Sequence, residues 1–203
     1  MKKYRFWLRQ MGIAILAWAS ATAIFAFLTQ TRLEGRDFLL DVLLFSGLYN
    51  CFAAFLLQYG GTVSGLGIPI LMGVTRKQVC RGLLLERLGY AVLAAAVYGL
   101  GAFLVLKNGA EALSISLSLL GVTLTAYGIF GLISGWRIRS ASHQAFSAVT
   151  VLISAILGGL QAFLVCHPGI WALSLGCLVL GIVLAAVGSR VEKKNIYAWD
   201  VSL

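Results

Sequence analysis

The chain has 203 residues, of which 60% are hydrophobic and only 11% charged, and it carries a net charge of +9. A soluble domain is nearer half apolar and about a quarter charged, and a fold of this size lacks the interior to hide so much apolar surface. Lipid must therefore be part of its solvent, and a soluble enzyme or a basic nucleic-acid-binding domain is excluded.

The first residues, 1–10, place Tyr4, Trp7 and Leu8 on one helical face, followed by Met11, with Lys2, Arg5 and Arg9 on the other. That spacing predicts a short interfacial helix with its cations toward headgroups, or an anchor for the span that follows. Apolar runs then appear at 10–29, 38–59, 83–106, 113–136, 145–165 and 169–188. Each has about the 17–25 residues that a spanning helix needs. None alternates polar with apolar as a barrel strand must, and an open sheet would leave backbone groups unpaired in hydrocarbon. The predicted fold class is all-α, a six-span polytopic transmembrane bundle forming one domain over 1–203. Ala19-Ser20-Ala21 resembles a signal-peptide cleavage site, but the apolar run continues through Phe27 and Leu28, so an uncleaved first helix is expected.

Orientation follows from the basic residues. With the N-terminus inside, thirteen of the sixteen Lys and Arg fall on the inner side, leaving Arg32, Arg36 and Lys107 outside. This asymmetry places both termini in the cytoplasm, with 189–203 as a cytoplasmic tail.

Residues that could carry chemistry are sparse. Gly-Lys never occurs, so a phosphate-binding loop is absent, and neither HExxH nor G-x-S-x-G is present. His143 and His167 fall on opposite sides of the membrane in this topology. The four cysteines show no CxxC pairing and suggest neither a disulfide framework nor a metal site. Asp37, Asp41, Glu86 and Arg87 lie near span ends and are expected to be interfacial anchors or local pairs. Asn50 and Gln161 lie deeper, as interhelical hydrogen-bonding groups or pathway residues. Gly128, Gly131, Ser134 and Gly135 stripe the fourth span, and Gly158 and Gly159 sit in the fifth. Small faces of this kind suit packing within a bundle or a subunit interface.

The inner connection at 60–82 is the most structured loop. Pro69 can begin a short turn and Gly73 can end it. Thr75 with Gln78 fits a capping box, so the third long helix is predicted to start at Thr75. The stretch Pro69-Ile70-Leu71-Met72-Gly73-Val74-Thr75-Arg76-Lys77-Gln78-Val79, placed between the second and third of six spans, resembles small bacterial ABC-transporter permeases of the ABC-2 type. A "G-x-T-R-K" segment occurs at this place in many of them, here Gly73 to Lys77. The resemblance implies a coupling helix docked on a separate ATPase. In that picture Ile68, Pro69, Ile70, Leu71, Met72 and Gly73 meet the ATPase cleft, flanked by Thr75, Arg76 and Lys77. It further implies two ATPase subunits carrying ATP and Mg, a second permease subunit, identical or related, and export as the direction. This chain itself would be no enzyme and would hold no cofactor. Between the fifth and sixth spans stand only Cys166-His167-Pro168-Gly169, so the chain looks more like compact permeases of antimicrobial-peptide export or self-protection than like polysaccharide exporters. Two other readings stay open from the residues: a channel or ion-coupled carrier acting alone, and a non-transporting accessory or sensor subunit.

Overall fold

The computed structural model describes residues 5–29, 35–59, 74–134 and 143–198. Among them every regular element is a helix: α1 Arg5–Thr29, α2 Gly35–Tyr59, α3 Arg76–Leu106, α4 Gly109–Leu132, α5 His143–Cys166 and α6 Trp171–Ala198. Five stretches, four of these helices and Ala148–Cys166 of α5, are long and apolar enough to cross a membrane, and α2 contributes a shorter apolar segment, Phe38–Ala54. This is the helix content of a multi-pass membrane protein.

Local chemistry sets the helix ends. Thr75 caps α3: the Gln78 amide donates to the Thr75 hydroxyl (3.3 Å), and the Thr75 amide donates to the Gln78 side-chain carbonyl (3.1 Å). Two of the orphan donors at the helix start are thereby satisfied. At the far end Lys107 adopts a left-handed conformation (φ 54°) and its amide donates to Phe103 O. Asn108 then caps α4 by accepting from the Ala110 amide (3.1 Å). Two residues thus reverse the chain, and α4 begins at Gly109, ahead of the apolar run. The other differences are similar in kind. Residues 5–10 continue into α1 without a break, and Trp7 is buried against Val79, Leu83 and Ile196. α6 runs past the apolar run to Ala198 with Glu192 and Ile196 buried.

α4 is the central helix: 72% of its most apolar stretch is buried, against 11% for α1 and 22% for α6. Its closest partner is α6, and the two run parallel. Ser114 meets Ser174 (2.9 Å), Gly121 meets Cys177 and Gly181, Gly128 meets Leu184 and Gly188, and Asn195 donates to Ser134 (3.0 Å). Small residues recur every seven positions on each helix, as Ser114, Gly121 and Gly128 face Ser174, Gly181 and Gly188. A Cβ built on Gly121 would lie 2.5 Å from the Cys177 carbonyl carbon, so only glycine permits this approach. In lipid, packing rather than water exclusion drives helix association, which makes close backbone contact the main adhesive. The glycine stripe of the fourth span is therefore an internal face at Gly128 and Gly131. Gly158 packs on Leu48 of α2, while Gly159 faces open space.

Candidate functional site

The inner end of α3 is tied to α6 at two levels. Near its start, the Arg76 guanidinium donates to the Tyr197 carbonyl (2.7 Å). Three turns on, Arg87 grips Glu192 with both guanidinium nitrogens, Nη2 to Oε1 at 2.8 Å and Nη1 to Oε2. Both side chains are buried and 105 residues apart, so Arg87 is neither the interfacial anchor nor the local pair expected at a span end. A guanidinium fork matches a carboxylate in two parallel bonds, and that match is what allows two charges to leave water together.

Glu86 differs from its neighbour. It is 1% exposed, and neither carboxylate oxygen has a hydrogen-bond partner among the described residues. The hydroxyl of Tyr127 on α4 is also buried and has no hydrogen-bond partner among the described residues. An unsatisfied buried polar group costs about 1–3 kcal/mol, so its presence points to a role other than stability.

Deeper in the bundle, Asn50 of α2 joins three helices. Its amide donates to Thr123 Oγ1 of α4 (2.9 Å), and it accepts from the Tyr90 hydroxyl of α3 (2.9 Å). Gln161 of α5 accepts from Ser118 of α4 (3.3 Å) and lies against the Tyr98 hydroxyl of α3. Nearby, Tyr98 donates to Leu43 O (2.6 Å), and Trp18 Nε1 donates to Ser46 O (2.9 Å). These groups form a polar seam through the bundle interior, bounded at the basic end by the Arg87–Glu192 pair. Asn50 and Gln161 both belong to it.

Of the residues the resemblance singled out, Thr75, Arg76 and Lys77 are described, as the capped start of α3. Ile68, Pro69, Ile70, Leu71, Met72 and Gly73 lie outside the described residues. The sequence reading overlooked Glu192, Tyr90, Thr123, Ser118 and Tyr127. One signal was available for Glu192, since it and Arg87 carry opposite charges at the basic ends of two spans. Among the described residues no group of three His, Cys, Asp or Glu side chains is placed to hold a metal. The seam can therefore hydrogen-bond, carry a proton or yield to a conformational change.

No protein-family model matches the chain, and neither a curated protein nor a solved structure matches it.

Proposed function

We propose that the chain is a six-span permease subunit with both ends in the cytoplasm, driven by a separate ATPase. It would pair with a second permease, identical or related, over two ATPase subunits that hold ATP and Mg, and export a peptide or amphipathic substrate across a bacterial plasma membrane. The observation that carries this reading is the double tie between α3 and α6. A stroke delivered at Ile68 to Lys77 would enter α3 at its capped start. It would pass through Arg76 and Arg87 to α6, and from α6 to the close-packed central helix α4. The basic residues gathered at this end of the bundle favour the cytoplasmic side for it.

The test is replacement of Leu71 or Met72 by Asp in the reconstituted complex. Transport should be lost while ATP hydrolysis continues; transport that stays coupled in both variants would end the coupling role. Purification from the native membrane should also retain an ATPase bearing a phosphate-binding loop.

A second reading, a carrier working without a partner, draws support from Glu86. A buried ionisable residue with no partner is the kind of group ion and proton pathways use. Flux through liposomes holding the purified chain alone, without nucleotide, would favour it over the first.

A further inference from the structure

At the basic end of the bundle, α3 and α6 enclose a pocket of about 290 Å³. Lys77 and Arg81 line one wall, and Arg190 and Lys193 the other. Leu84 closes its membrane side. All four cations are exposed, and among the described residues none forms an ion pair. Lys193 lies 6.0 Å from the Tyr197 ring, which leaves its charge intact. Among the described residues the nearest acid, Glu192, is already held by Arg87, and Glu86 is buried inside the bundle, so neither offsets the four charges.

Beside the pocket an apolar groove of about 590 Å³ runs between α1 and α3. The two share Arg81 and Leu84, and the groove continues along Leu85, Leu88 and Val92, all exposed on the membrane-facing side. A four-cation pocket beside an apolar groove has the chemistry of an anionic phospholipid: phosphate at one end, acyl chain at the other. Basic pockets between spanning helices on the cytoplasmic side are suited to such headgroups. We infer that Lys77, Arg81, Arg190 and Lys193 bind the phosphate of an anionic glycerophospholipid, with an acyl chain along Leu84, Leu85 and Leu88. Lys77 is shared with the segment proposed to meet the ATPase, whereas Arg81, Arg190 and Lys193 lie outside it. It makes the leaflet at this end a ligand of the α3–α6 junction, next to the Arg87–Glu192 pair.

The experiment uses the full chain, purified and reconstituted in phosphatidylcholine nanodiscs with or without phosphatidylglycerol, and native mass spectrometry to count retained lipid. The wild-type chain should retain phosphatidylglycerol selectively. R81Q/R190Q should lower that retention about 30-fold, since each cation near an anionic surface contributes about 1 kcal/mol. The control K107Q/K194Q removes the same charge from exposed positions outside the pocket and the groove, and should change retention less than about twofold if the pocket rather than diffuse charge holds the lipid. Equal losses in both pairs, or none in R81Q/R190Q, would overturn the assignment. So would soluble glycerophosphate binding as tightly as the lipid, because the groove would then contribute nothing. If R81Q/R190Q does not fold, K77Q/K193Q puts the same question to the other two cations.

Discussion

Arg87 on α3 and Glu192 on α6 stand 105 residues apart in sequence and meet as a two-pronged ion pair in the interior of the bundle. Pairing makes the burial of each charge tolerable, so neither can be removed alone. The E192Q change should destabilise the chain by about 3–5 kcal/mol, the range for breaking a buried pair. The double variant R87M/E192L removes both charges and should recover most of that loss. Unfolding of the full chain in detergent, followed by circular dichroism, gives all the values needed. A double variant as unstable as the single one would show that the pair itself is not what holds α3 to α6.

Glu86 should behave in the opposite way. Its carboxylate has no partner to lose, so E86M should raise stability, by about 1–3 kcal/mol if the unsatisfied oxygens bear their usual cost. A gain in stability accompanied by a loss of transport would mark Glu86 as a working group of the pathway. A fall in stability would show that it meets a partner in the assembled protein.

The α4–α6 contact should be intolerant of any side chain. G188A places a Cβ against the Gly128 backbone, and G121A one against Cys177. Backbone cannot rotate away as a flexible side chain can, so either change should force the helices apart and lower the unfolding temperature. Gly176, on the same helix α6, has open space around its Cβ position, and G176A should be neutral or slightly stabilising. Similar losses in G176A and G188A would mean that the cost of G188A does not come from the close approach to α4, since alanine is the better helix former at both positions.

Asn50 bridges α2 to α3 and α4 through Tyr90 and Thr123. Interhelical hydrogen bonds in membranes average about 0.6 kcal/mol and reach about 1.7. N50L should therefore cost about 1–2 kcal/mol, since it abandons two bonds and leaves the Tyr90 hydroxyl unsatisfied. T123V should cost less, and the N50L/T123V cycle should show coupling. Strict additivity would mean the bond contributes nothing.

At the base of α3, T75A removes the hydroxyl that accepts from the Gln78 amide. The loss should be about 0.5–2 kcal/mol, the range for an N-cap. T75S keeps the oxygen and should restore most of it. Hydrogen exchange confined to residues 76–79 would locate the effect.

The sequence by itself determined that the chain is helical and membrane-embedded, because hydropathy over about 20 residues is a local property. It also determined the start of α3, since a capping box involves only Thr75 and the residue three places on. Asn50 and Gln161 were legible as polar groups at depth. Their partners were not, because hydrogen-bond partners depend on which helices neighbour one another. Only the tertiary structure decided that Arg87 pairs with Glu192 rather than with headgroups, and that Glu86 beside it finds no hydrogen-bond partner among the described residues. Consecutive residues on a helix point about 100° apart, so one reached α6 and the other the bundle interior. The small-residue stripe was visible in α4, but its meaning required α6 to run parallel in matching register, 60 residues later. Local composition fixed what each segment was, and the packing of distant segments fixed which charges were satisfied.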